Sequence, residues 1–139
     1  MLLAIDIGNT NIVYGVFYKD KLISEFRTQS NSKDLHLIPS NIKNNITDII
    51  ISSVVPNLTA HCLKICKNKY RIDGFIVKYN NVPDIILNIE YPDQIGSDRI
   101  CNTVASFQLY KTPCIVVDTG TATKYDVINK LGEFIGGSI

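Results

Sequence analysis

A short pattern occurs twice in this chain, and it constrains the fold more than any other feature. Each copy contains apolar strand residues, an aspartate, one further residue, a glycine, and then mostly hydroxyl or amide side chains. The copies run from Ala4 to Asn11 and from Val116 to Thr123, 112 positions apart. Turn residues and further apolar runs follow each copy. The repeat therefore predicts a duplicated fold in which each half opens with a three-stranded meander.

Between the two copies, the sequence predicts helices and strands in alternation. The β-branched run from Asp48 to Val55 predicts a buried, parallel strand. A helix follows from Pro56, with its apolar residues on one broad face. A second helix is predicted from Ser97 to a point before Pro113, and Cys114 to Val117 predict another buried strand. The chain is therefore expected to adopt an α/β fold.

Two domains are expected, one over residues 1–112 and the start of another over residues 113–139. A short helix capped by Ser32 and stopped by Pro39 is expected in the first. The chain stops where the helices of the second copy should begin, and a meander without a covering helix leaves an apolar sheet face bare. We therefore expect a truncated piece of a two-domain protein.

Composition excludes several classes of protein. Fourteen basic and thirteen acidic residues leave a net charge of +1, which gives no electrostatic footprint for nucleic acid or an anionic membrane. No signal peptide is evident. The four cysteines do not make a disulfide scaffold, and we expect them to be thiols in a reducing cytoplasm. Cys62 and Cys66 could share a metal with His61, but a second ligand pair is lacking.

The two Asp-x-Gly loops are suited to phosphate and metal ions. A glycine has no Cβ, so the amides of Gly8 and Asn9 can approach a phosphate closely, and Thr10 and Asn11 add side-chain donors. Asp6, at the end of a buried strand, can hold Mg²⁺ through water. One such loop alone could equally be a turn closed by its aspartate, but two copies favour a phosphate site. The sequence contains neither a P-loop nor a dinucleotide-binding fingerprint.

A third motif, Gly96 to Arg99, stands at the predicted start of the second helix. Asp98 there could simply stabilise the helix dipole, with Arg99 as a surface partner. An acid next to a base at the mouth of a phosphate site also fits a general base beside a cationic clamp.

In this order, the motifs at residues 6–11, 96–99 and 118–123 resemble those of the type III pantothenate kinases, enzymes of the actin, sugar-kinase and heat-shock ATPase superfamily. Tyr91 and the ending from Gly132 to Ile139 are similar too. The resemblance implies a ribonuclease-H-like (actin-like ATPase) domain with a mixed sheet, followed by the opening meander of a second copy. It also implies ATP-dependent phosphorylation of pantothenate, the first step of coenzyme A biosynthesis, by a homodimer.

The resemblance further implies roles for single residues. Asp98 would take the proton from the attacking hydroxyl, Asp6 would position Mg²⁺, and Asp118 would bind a monovalent cation, potassium or ammonium. The nucleotide phosphates would be bound by Asp6, Gly8, Asn9, Thr10, Asn11 and Thr121. Pantothenate would be bound by Tyr91, Gly96, Ser97, Asp98 and Arg99.

Lys124 departs from the family pattern, which usually carries a threonine at this place. Its ammonium group could pair with phosphate or point to solvent. If Lys124 takes over the role of the cation, the enzyme would be active in sodium-only buffer. If Asp118 binds potassium, activity would collapse without potassium and ammonium, and this requirement is the sequence-based expectation.

A nucleotide-dependent binding or regulatory protein of the same superfamily is the alternative function. Asp98 next to Arg99 favours the kinase, because a conformational ATPase has no need for a pantothenate clamp.

Overall fold

Residues 1–31, 45–83, 85–111 and 113–139 are described by a computed structural model, in which the chain divides into two units, Met1–Ile76 and Val77–Ile139. Each unit contains one sheet among the described residues. The predicted domain boundary between residues 112 and 113 rests on the repeated sequence motif, and it stays a prediction. The short helix expected after Ser32 lies outside the described residues.

The first unit contains a mixed five-stranded sheet with the order β3-β2-β1-β4-β5. The strands are β1 (Leu2–Ile7), β2 (Asn11–Tyr18), β3 (Lys21–Gln29), β4 (Asp48–Ser53) and β5 (Phe75–Ile76). The first three form the predicted antiparallel meander, and β4 pairs in parallel with both β1 and β5. Because β4 is parallel to β1, the β-branched run joins the sheet as the sequence predicts.

Helix α1 (Pro56–Tyr70) packs against β4 and completes the core of the first unit. Pro56 occupies the first turn, where a missing N–H costs nothing. Cys62 and Cys66 are buried free thiols on its inner face, with their sulfur atoms 4.0 Å apart. The contact with Cys66 and burial raise the pKa of the Cys62 thiol. The buried core residues are Leu3, Ile5, Ile7, Ile12, Tyr14, Val16, Ile46, Ile49, Ile51, Cys62 and Cys66.

The second unit contains a helix and an antiparallel meander. A short 3₁₀ helix (Pro92–Gln94) precedes α2 (Ser97–Tyr110), and the meander consists of β6 (Cys114–Thr119), β7 (Thr123–Ile128) and β8 (Phe134–Ser138). Helix α2 contacts β6 and β7. The buried residues between them include Ile100, Thr103, Ile128 and Phe134. The predicted helix start and the repeated meander are therefore confirmed.

The meander has one covered face and one apolar exposed face. Ile115, Val117 and Tyr125 are exposed on the face that does not carry Asp126 and Ile128. Within the described residues, neither helix is long and apolar enough to cross a membrane. The prediction of an α/β fold with a mixed sheet is confirmed.

Candidate functional site

The loop after β1 is closed by hydrogen bonds from its own residues and from the end of β3. The Gly8 N–H donates to the Asn11 carbonyl over 3.0 Å, and the Ser30 hydroxyl donates to the Gly8 carbonyl over 2.6 Å. A Cβ on Gly8 would lie only 3.2 Å from the Asn11 oxygen, so the missing side chain lets the turn close this tightly. Asn9 and Thr10 are exposed at the tip. The Gly8 amide is thus engaged within the loop, and the tip faces solvent.

Asp6 lies on the face of β1 opposite to the apolar core. Ile5 and Ile7 are buried on the core face, whereas Asp6 is exposed between them. Its cross-strand neighbours are Val13 on β2 and Ser52 on β4, neither of which carries a charge. An exposed carboxylate beside an exposed loop tip suits a hydrated divalent cation, since Mg²⁺ usually keeps several waters.

The loop after β6 matches the first in sequence and differs in strand register. Thr119 pairs with Thr123, so that three residues form the turn. In the first loop Ile7 pairs with Ile12, which leaves four residues in the turn. Successive residues of a strand point to opposite faces, so a change of one residue in pairing gives the aspartate a different set of neighbours. Asp118 consequently differs from Asp6 in what lies beside it.

Lys124 lies opposite Asp118 in the β6–β7 ladder, and its ammonium group joins two carboxylates. Its Nζ lies 3.1 Å from Asp118 Oδ2 and also donates to Asp98 Oδ2 at the start of α2. The side chains of Lys124 and Asp98 are 19% and 21% exposed, and that of Asp118 is 34% exposed. Of the alternatives that the sequence left for Lys124 (phosphate, solvent or the role of the cation), its pairing with Asp98 and Asp118 agrees with the role of the cation.

The charges around Lys124 determine whether its pKa is raised or lowered. Partial burial lowers the pKa of this ammonium group, because it disfavours the charged form. The hydrogen bonds and negative charges of Asp98 and Asp118 act in the opposite direction and outweigh burial, so the pKa of Lys124 is raised. Lys124 is thus fully charged at neutral pH.

A second ion pair lies beside the first. Here the positive residue is on α2 and the negative residue is on β7. Arg99 Nε donates to Asp126 Oδ1 over 2.6 Å, and the guanidinium carbon lies 5.3 Å from the centre of the Phe134 ring. Asp126 is 1% exposed, and Arg99 is 17% exposed. Of the two alternatives that the sequence left for Arg99, the surface partner does not hold, because its side chain lies against β7 and β8. Arg99 Nη2 and Asp126 Oδ2 have no hydrogen-bond partner among the described residues.

The backbone of β8 limits the space around this pair. Gly137 lies opposite Asp126 in the β7–β8 ladder. A Cβ on Gly137 would lie 2.0 Å from the Tyr125 carbonyl oxygen and 2.3 Å from Arg99 Nη2. Neither distance is possible for real atoms, so only glycine at this position allows the guanidinium to approach β8 so closely.

The structure brings the predicted residues together within each unit. In the first unit, Asp6, Gly8, Asn9, Thr10 and Asn11 lie at the carboxyl end of β1. In the second unit, the site contains Gly96, Ser97, Asp98, Arg99 and Asp118. Gly96 is the last extended residue before α2, and Asp98 Oδ1 accepts from the Arg99 N–H over 2.9 Å. Asp98 therefore serves the helix start as well as the contact with Lys124.

Two predicted residues, Tyr91 and Thr121, are exposed. A side-chain hydrogen bond with Glu90 raises the pKa of Tyr91. The sequence reasoning missed Asp126 and Gly137. The signal for Asp126 is its spacing from Lys124, because two charged residues two positions apart on a strand share one face. That face of β7 contacts α2, which carries Asp98 and Arg99 in its first turn.

Comparisons with known proteins give consistent results. A family model described as type III pantothenate kinase matches residues 2–139. The type III pantothenate kinases of Citrifermentans bemidjiense and Finegoldia magna are 36% and 40% identical to this chain, and both matches cover 100% of it. The chain spans 59% and 57% of the lengths of these two relatives.

Solved structures show the same fold at low sequence identity. A Campylobacter jejuni protein described as a Baf family transcriptional activator is 24% identical, with a TM-score of 0.60, covering 98% of this chain and 52% of its own. A Sinorhizobium meliloti protein described as a 2-dehydro-3-deoxygalactonokinase is 16% identical, with a TM-score of 0.56, covering 99% of this chain and 52% of its own. These similarities confirm the predicted actin-like ATPase fold.

Proposed function

The chain belongs to the type III pantothenate kinase family, and we propose that its protein transfers a phosphoryl group from ATP to the primary hydroxyl of pantothenate. This reaction is the first step of coenzyme A biosynthesis. The proposal concerns the whole protein, because the chain spans 59% of the first relative. A cytoplasmic homodimer that binds neither nucleic acid nor membrane is part of the proposal.

The observation that carries this proposal is the pair of neighbouring, opposite charges at the start of α2. Asp98 is the proposed catalytic base, and a base of this kind needs only hydrogen-bond reach of the substrate hydroxyl. Its 21% exposure leaves it accessible to a ligand. Lys124 donates to its Oδ2, which places a positive charge beside the carboxylate.

Arg99 is the proposed clamp for the carboxylate of pantothenate. Asp126 fixes its Nε, while Nη2 has no hydrogen-bond partner among the residues described. A guanidinium held in one orientation through its Nε can bind a carboxylate with defined geometry. Gly96, Ser97 and Tyr91 are proposed to complete the substrate contacts.

The loop after β1 is the proposed binding element for the phosphates of ATP and for Mg²⁺. Asp6 is exposed next to the exposed tip of the loop, which fits a cation that keeps part of its water shell. When bound, Mg²⁺ would neutralise phosphate charge. Gly8 keeps the loop tight, and Asn9, Thr10 and Asn11 are proposed phosphate contacts. In the second unit, Thr121 has the same proposed role on its own exposed loop.

Potassium or ammonium is the ion proposed for Asp118 by the family resemblance. The surroundings of this carboxylate fit a free ion poorly, because the Lys124 ammonium already lies 3.1 Å from Asp118 Oδ2. A positive charge at Asp118 is thus retained in the proposed site, and Lys124 carries it.

An assay of pantothenate-dependent ADP release from the full-length protein tests the proposed function. With Mg²⁺, potassium and ammonium present, we expect turnover in wild type and a kcat lower by ~10²–10⁴ in Asp98→Asn, the usual contribution of a general base. Asp93→Asn is the matched control, because Asp93 is exposed in the preceding 3₁₀ helix.

Absence of pantothenate-dependent ADP release would overturn the proposal. ADP release that does not depend on pantothenate would favour a nucleotide-dependent binding or regulatory protein. A loss below tenfold in Asp98→Asn would restrict Asp98 to its role at the start of α2.

A further inference from the structure

Two carboxylates from different elements converge on one nitrogen atom in the second unit. Asp98 comes from the first turn of α2, and Asp118 comes from the end of β6. The Oδ2 atoms of both contact Lys124 Nζ. Two negative charges that meet at one atom repel each other unless a positive charge lies between them. The site therefore needs a cation, and one is present within the chain.

The backbone determines the position of Lys124. It is the direct cross-strand partner of Asp118, and it shares a face of β7 with Asp126, which contacts α2 through Arg99. Lys124 is thus directed towards the start of α2 by strand register. Its 19% exposure distinguishes it from a solvated surface lysine.

The other nearby positive charge is already engaged. Arg99 is paired with the buried Asp126 through a 2.6 Å contact. It cannot neutralise Asp98 and Asp118 without leaving Asp126 as an unpaired buried charge, which is strongly unfavourable. Lys124 is therefore the residue that balances the two carboxylates.

The chemistry of the group also matches that of a small cation. A lysine ammonium is a compact point charge with three N–H donors, like the ammonium ion in charge and in hydrogen bonding. Two carboxylate oxygens already contact it. A free ion could bind the same oxygens only by displacing Nζ.

We infer that Lys124 is a built-in cation: its ammonium group takes the place of a free potassium or ammonium ion at Asp118, and the protein does not require either ion there. The catalytic consequence rests on the proposed function, whereas the occupancy of the site does not. The protein is then expected to be active without potassium, in contrast to the requirement that the family resemblance implies.

The first test measures occupancy without turnover. Thermal unfolding of the full-length protein is followed in potassium, ammonium, sodium and choline chloride at equal ionic strength. Wild type is expected to show the same midpoint in all four. Lys124→Ala should have a lower midpoint in choline, and potassium or ammonium should raise it more than sodium does. Lys130→Ala is the matched control, because it removes the same charge from an exposed turn.

The second test measures activity in the same salts. Wild type should vary by less than about twofold, whereas Lys124→Ala should lose roughly 10–100-fold in choline, the size of a lost charge-assisted hydrogen bond. Ammonium should restore most of this loss. Should the alanine variant fail to fold, Lys124→Thr serves instead, because a β-branched residue suits a strand.

A wild-type midpoint that rises specifically with potassium or ammonium would overturn the inference, as would wild-type activity that requires either ion. The two proposals fail separately. Ion-specific stabilisation of Lys124→Ala without any pantothenate kinase activity supports the built-in cation and overturns the proposed function. Kinase activity in wild type that requires potassium does the reverse.

Discussion

The loops after β1 and β6 share a sequence pattern and differ in the surroundings of their aspartates. Asp6 is exposed on the face of its sheet opposite to the core, and Val13 lies across from it. Asp118 lies across from Lys124 and shares its ammonium group with Asp98. Two copies of one motif therefore place their aspartates in different surroundings: Asp6 is exposed on the outer face of its sheet, whereas Asp118 is paired with Lys124.

The strands that follow the two loops differ in the same way. At matching positions of the repeat, β2 carries the buried apolar residues Ile12 and Tyr14, whereas β7 carries Lys124 and Asp126. The first pair belongs to an apolar core. The second pair meets the charged first turn of α2. The same position in the repeat is thus a strand in both copies. The inward-facing residues at these matching positions are apolar in β2 and charged in β7.

The largest expected effect is at Asp126. Asp126→Ala leaves Arg99 without its buried partner, and losing one member of a buried pair costs about 3–5 kcal/mol of unfolding free energy. Chemical denaturation of the full-length protein measures this loss. Asp93→Ala, at an exposed position, is the control and should change stability by less than about 0.5 kcal/mol. A loss below about 1 kcal/mol in Asp126→Ala, well under the ~3–5 kcal/mol expected for a broken buried pair, would show that this ion pair does not stabilise the fold.

Ile12 provides the apolar counterpart. Ile12→Ala opens a cavity in the core of the first unit and should cost about 2–5 kcal/mol. Its effect should not depend on salt, because no charge is removed. Ile23→Ala is the matched control, since Ile23 is 52% exposed. Equal losses for the two isoleucines in denaturation experiments would contradict the assignment of Ile12 to the core.

Substitution by alanine should change the free energy of unfolding differently at the two loop glycines, Gly8 and Gly120. A Cβ on Gly8 would lie 3.2 Å from the Asn11 oxygen, which also accepts the hydrogen bond that closes the turn. Gly8→Ala should therefore cost about 1–3 kcal/mol, the usual range for overpacking. At Gly120 the nearest atoms are 3.9 Å away, and Gly120→Ala should be neutral or stabilising by up to about 1 kcal/mol. Measured melting temperatures that fall equally in both variants would show that the loops are equally tight.

The smallest effect is the pH dependence of the Lys124 contribution. The pKa of Lys124 is raised in the folded protein, so its stabilisation is fully present below the unfolded pKa of about 10.4 and is lost as pH rises through the higher folded pKa. The difference in unfolding free energy between wild type and Lys124→Met should be constant from neutral pH and decrease at alkaline pH. Lys130→Met should show no such decrease. A difference that already declines near neutral pH would contradict the pairing.

The sequence predicts those parts of the fold that depend on local signals. Turn residues separate β1, β2 and β3, Pro56 starts α1, and Pro113 follows the end of α2. Contacts between distant segments could not be predicted. The pair Arg99–Asp126 and the contact Asp98–Lys124 depend on how α2 packs on β7, and neither spacing nor composition determines this packing. The face of Asp118 depends on a register that differs by one residue from that of Asp6.

The covalent attachment of Lys124 to β7 also changes how the positive charge at Asp118 depends on the ions in solution. A free ion occupies a site according to its concentration and its dissociation constant, and it loses translational freedom each time it binds. Lys124 is linked covalently to the strand opposite Asp118, so this loss is incurred once, when the chain folds. The occupancy of the site then depends on the stability of β7 and is independent of the ionic composition of the medium.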